Sequence, residues 1–102
     1  MTIERHHLFN EYDFQRLENM WLRLILDAID ELIEADEMCS CPECVLDVAA
    51  LALNMLPPKY WVSGNYNAFT PPELFLGDEK NRQRAREAVH KSHEQVKKNP
   101  HH

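Results

Sequence analysis

The stretch CSCPECVLDVAALALNMLPPKYW, Cys39 to Trp61, decides how this chain is to be read. It opens on the chain's three cysteines, spaced C-x-C-x2-C, runs into an apolar segment and ends at a double proline. Pro42 suits the first position of a helix, where a missing N–H costs nothing. Pro57 and Pro58 cannot continue one, so the punctuation predicts a helix from Pro42 to about Met55. Valines, leucines and alanines make it apolar nearly all round, as expected of a central buried element. Alanines at 49, 50 and 52 leave room for a neighbouring helix to approach closely.

Three thiols this close are better explained by a soft metal than by disulfides, and the odd number argues against a disulfide framework. The unpaired N–H groups at a helix N-terminus favour thiolate, the form that binds Zn²⁺. A bound metal is therefore expected on Cys39, Cys41 and Cys44. An iron–sulfur cluster is less well supplied by three cysteines. The fourth ligand is missing from the motif: Asp47, one turn beyond Cys44, Glu37, His6, His7 and His90 are the candidates. His90 and His93 share a helix face, but amid Lys and Glu they read as solvated. Cys44, Asp47, Leu51 and Asn54 fall on one seam of the helix. Buried there, Asp47 and Asn54 would need hydrogen bonds and would specify the fold. Asp47 would orient a ligand or meet a facing helix, and Asn54 would tie down the turn into Pro57.

Upstream, Phe14, Leu17, Trp21, Leu24, Ala28 and Leu32 form a helical stripe, with Asp13 as its N-cap. Leu22, Ile25, Leu26, Ile29 and Ile33 widen it to two faces, one of which asks for a partner, most economically a second copy. Residues 1–11 form an N-terminal arm without periodicity. The acidic run Asp30 to Glu37 opposes the helix dipole, which leaves solubility or a nearby cation as its purpose. Downstream, Lys59 to Val62 suits a brief strand and Ser63 to Asn65 a turn. Thr70 to Glu73 is a capping-box pattern with Pro71 at the first helical position, opening a short helix that ends at Gly77. Asp78 caps a basic last helix over 78–98 with few apolar anchors, expected on the surface or across a dimer; 99–102 is a tail. The whole is one all-α domain: a helical core over 12–77, two of its helices joined by the cysteine-rich loop, plus the C-terminal helix, paired as a homodimer.

A chain of 102 residues has room for one core. No apolar run spans a bilayer and no secretory h-region is evident, so a cytoplasmic protein with no membrane role is expected. The net charge of −6 is uneven: residues 1–56 carry 12 acidic and 3 basic groups, residues 57–102 carry 5 and 8. An acidic chain is a poor partner for duplex nucleic acid. Its basic segment still offers Arg82, Arg84 and Arg86, whose guanidinium planes suit phosphates and purines, while Tyr60, Trp61 and Tyr66 offer stacking faces. An enzyme ranks last: no HExxH-type helix is present, and thiolate-rich zinc is a weak Lewis acid.

The run from Cys41-Pro-Glu-Cys44 through Asp47, Asn54 and Pro57-Pro58-Lys-Tyr60 resembles the signature of the late competence development protein ComFB family. The resemblance implies a small cytoplasmic helical protein, homodimeric, non-enzymatic, with zinc at Cys39, Cys41 and Cys44. It also implies a cyclic dinucleotide ligand, such as cyclic di-GMP, and an unidentified protein partner through which competence, motility or surface behaviour is regulated. The rival expectation is a structural interaction dimer without a nucleotide, its zinc stapling a small core.

Overall fold

A computed structural model of the chain describes residues 5–64 and 72–99. The elements run α1 (Leu8–Glu11), β1 (Leu17–Asn19), α2 (Met20–Glu34), α3 (Pro42–Asn54), β2 (Tyr60–Val62), α4 (Pro72–Leu76) and α5 (Glu79–Lys98), with a 3-10 turn at Phe14–Arg16. The helix α5 packs against both α2 and α3, and β1 pairs antiparallel with β2. The expected all-α domain is thus helical with a small two-stranded sheet added. Thr70, Pro71 and Tyr66 lie outside the described residues.

The first long helix starts six residues later than its periodicity predicts. Asp13 does cap, but it caps the 3-10 turn, its Oδ1 accepting from the Gln15 N–H at 3.1 Å. Leu17, Glu18 and Asn19 then stay extended because Val62, Trp61 and Tyr60 lie opposite them. Asn19 ends the strand and begins α2: its Oδ1 accepts from Trp21 N–H at 3.1 Å and from Lys59 N–H at 3.4 Å. Phe14 and Leu17, which the periodicity places in the helical stripe, are exposed. At its other end α2 closes in a Schellman motif. Glu37 N–H donates to Leu32 C=O and Asp36 N–H to Ile33 C=O, with Asp36 at φ 61° where glycine is usual.

The limits of α3 are those the prolines predict, but its surroundings are not. Cys44, Val48, Ala49 and Ala52 are buried, whereas Leu46 is 64% exposed and Ala50 is exposed too. Asn54 is exposed and Asp47 half-buried, so the expectation of a buried polar seam is corrected. The helix is central on one side only.

A larger correction concerns α5, expected at the surface or across a dimer. Ala85, Ala88, Val89, Ser92 and Val96 are all buried, and α5 is the element that joins the other two long helices. Ile25 of α2, Val48 of α3 and Val89 of α5 are each fully buried, one from every long helix. Small residues carry little hydrophobic signal in a sequence, yet they let helix axes come close and pack densely. The cap on α5 is as predicted: Asp78 Oδ1 accepts from Lys80 N–H at 2.8 Å. The short α4 lays Phe75 edge-on against Trp21, ring centroids 4.8 Å apart, and closes the open end of α2.

Candidate metal centre

The loop between α2 and α3 delivers the three cysteines to one point. Their Sγ atoms all lie within 4.8 Å of one another. Cys41 is the N-cap of α3, extended in backbone, with its Sγ accepting from the Cys44 N–H at 3.4 Å. Pro42 follows at the first helical position and fixes the turn. Cys39 is exposed, Cys41 half-buried and Cys44 buried. Burial pushes the Cys44 thiol up to about 12, and hydrogen bonds with Cys41 and Cys39 push the same way. Cys44 therefore favours the thiol while no cation is present and would become thiolate when one arrives.

The donor set fits zinc. Tetrahedral zinc with bonds of about 2.3 Å places its sulfurs roughly 3.8 Å apart, so these three need close by only about one ångström. Structural zinc sites complete themselves with a fourth protein ligand. Among the described residues these cysteines form the one group of three or more His, Cys, Asp or Glu side chains close enough to share an ion.

Beside the cysteines lies a cavity of about 280 Å³, lined by Glu37, Met38, Cys39, Cys44, His93 and Val96, with Lys97 at its edge. Of the proposed fourth ligands, Glu37 reaches this cavity. Asp47 lines a different one, with Gln95 and Asn99. His6 and His7 stack on each other at 4.5 Å, exposed before α1, and His90 is exposed on α5. His93, read from sequence as solvated, is half-buried, and burial is the main cause that lowers its pKa, followed by Lys97. The available signal is its spacing: four residues after Val89 and three before Val96, it shares the packed face of α5.

The arginines have other company. Arg86 reaches Glu79 at 3.1 Å and Glu31 at 3.4 Å, and its own pKa rises through those contacts. Arg82 meets Glu79 at 3.6 Å, and the Arg84 guanidinium lies 5.2 Å from the centre of the Trp21 ring. Tyr60, 62% exposed, belongs to an open groove of about 750 Å³ that it shares with Leu17, Leu22, Ala50, Leu53, Asn54 and Pro58. Pro57 is exposed and Trp61 half-buried on β2. The three arginines do not line that groove, so a single chain keeps the basic segment and the tyrosine apart. No described helix is long and apolar enough to cross a membrane.

Comparison with known proteins gives a consistent picture. The model of the late competence development protein ComFB family matches residues 18–100. Among solved structures, the late competence protein ComFB from Bacillus subtilis superposes with a TM-score of 0.65 at 24% identity, covering 82% of this chain and 93% of that one. A search of curated proteins returned no match.

Proposed function

The chain belongs to the ComFB family, and from that premise we propose that it is a non-enzymatic regulatory protein: a zinc-stapled helical homodimer that binds a cyclic dinucleotide and signals to a protein partner. The open groove beside Tyr60 carries the ligand-binding part of this reading. Its volume of about 750 Å³ falls within the roughly 300–1,000 Å³ of small-molecule sites. Tyr60 offers an exposed ring for a purine, and Trp61 lies next to it on β2. Arg82, Arg84 and Arg86 are the phosphate candidates. The carboxylate partners of Arg82 and Arg86 are exposed, and such ion pairs are worth about 0–1 kcal/mol, so a phosphate displaces them at little cost.

Calorimetric titration of zinc-loaded protein with cyclic di-GMP and cyclic di-AMP, with GTP and ATP as controls, tests the receptor reading. Selective saturable heat that is lost in Tyr60→Ala supports the groove as the site, and loss in Arg82→Ala/Arg86→Ala supports the basic segment. Absence of heat with either cyclic dinucleotide, from folded and metal-loaded protein, overturns it.

One observation favours the rival reading of an interaction dimer. Leu46, Ala50 and Leu53 share one face of α3, and Leu46 and Ala50 are left exposed on a single chain. A second copy related by a two-fold axis would cover such a stripe isologously, with no nucleotide needed.

A further inference from the structure

We propose that His93 of α5 is the fourth ligand of the metal held by Cys39, Cys41 and Cys44. This rests on reading the three cysteines as a metal site. The cavity beside them is lined by Cys39 and Cys44 from the loop and the start of α3 and by His93 and Val96 from α5. Two elements about 50 residues apart in the chain thus border one space, and His93, which lies outside the group of ligand atoms already close enough to share an ion, would turn in as the metal binds.

Glu37 is the competing donor in that cavity, and charge decides against it. Three thiolates and Zn²⁺ sum to one negative charge. An imidazole leaves that sum unchanged, while a carboxylate adds a second negative charge beside the buried Cys44 and Val96, where uncompensated charge is costly. Lys97, which also lines the cavity and pairs with Glu94 at 3.6 Å, is the cation nearest to hand for the single charge. Position agrees with chemistry. His93 sits on a 20-residue helix held by the core, whereas Glu37 is exposed on the loop just past the end of α2. Three cysteines with one histidine are a recurrent structural zinc set.

The consequence is a different staple from the one the motif suggests. With a ligand on α5, the metal joins the α2–α3 loop to the helix that unites the core. It closes a loop of roughly 50 residues, which costs the unfolded chain more entropy than a clip within six residues does.

X-ray absorption on the zinc-loaded wild-type chain is the direct test. The expected shell is three sulfurs and one nitrogen with the outer-shell scattering of an imidazole, and that scattering disappears in His93→Ala. Chelator competition should show zinc binding weakened by roughly 10–100-fold or more in His93→Ala, since losing a ligand costs at least as much as losing a group that orients one. His93→Cys should restore tight binding with a four-sulfur cobalt spectrum, and Glu37→Gln should bind as wild type does. Zinc held by three sulfurs without imidazole scattering overturns the assignment while leaving the cysteine site standing. Unchanged affinity in His93→Ala does the same, as does loss confined to Glu37→Gln. A wild-type chain that binds no zinc overturns both. The wild-type spectrum needs no variant to fold, so a misfolded substitution does not block the answer.

Discussion

The backbone N–H of Cys44 donates to the Sγ of Cys41 at 3.4 Å, so the residue that caps α3 is also one of the metal-binding candidates. A bound metal would therefore use the same atom that local folding uses. A thiol is a mediocre cap, whereas serine is among the best.

Cys41→Ser separates the two roles. The metal-free variant should be as stable as the wild type or more so, by up to about 1 kcal/mol in urea unfolding, because a hydroxyl replaces the thiol as acceptor. Zinc affinity by chelator competition should fall sharply, because a serine hydroxyl stays protonated where a thiolate would bind. Wild-type zinc affinity would remove Cys41 from the ligand set.

The Cys44 thiol gives a pH signature in the metal-free chain. Burial raises it from 9.0 to about 12, so folding favours its neutral form. That contribution is complete below about pH 9 and is lost as pH rises towards 12. The urea midpoint of metal-free protein should accordingly decline above pH 9. At pH 8 alkylation read by mass spectrometry should label exposed Cys39 well before Cys44. Equal labelling rates would contradict the burial of Cys44.

Asp36 occupies the left-handed position of the Schellman motif at φ 61°. Glycine has no Cβ penalty there, so Asp36→Gly should stabilise the chain by about 1 kcal/mol. A higher urea midpoint with an unchanged slope is the expected result; a lower one would mean the carboxylate is needed where it stands.

Asn19 serves α2 and the hairpin together, its Oδ1 accepting from both Trp21 N–H and Lys59 N–H. Asn19→Ala should cost about 1–2 kcal/mol, at the upper end for a helix cap because two donors lose their acceptor. Asn19→Asp should recover most of this. If alanine is neutral, the hairpin has no part in starting the helix.

Leu46 tests the dimer. It is 64% exposed on one chain, so Leu46→Ser should change monomer stability by no more than about 0.5 kcal/mol. Light scattering should nevertheless show the wild-type mass near twice that of the variant. A wild type with the mass of one chain would refute the dimer itself.

Much of the fold is legible in the order of the residues, and the reason is range. The limits of α3 come from Pro42 and Pro57, the cap of α5 from Asp78 and the end of α4 from Gly77; all act through backbone groups within a few residues. The convergence of Cys39, Cys41 and Cys44 is local in the same way, since a spacing of five residues at a helix start leaves the sulfurs little room to separate.

What is not legible there depends on partners far along the chain. Leu17 to Asn19 carry a helical pattern, and only the ladder with Tyr60 to Val62 holds them extended and moves the start of α2 to Met20. The alanines of α5 look too small to anchor a helix, but against α2 and α3 their size is what permits close packing. His93 stands among charged neighbours in sequence, and that packing puts it on the lining of the cavity beside Cys39 and Cys44. The sequence by itself determined helix limits, caps and the thiol cluster, because those interactions close over one or two turns. Tertiary structure alone decided which helix is central, where the strand interrupts and which histidine lines the cavity beside the three cysteines, because burial and pairing are properties of the neighbours a residue acquires on folding.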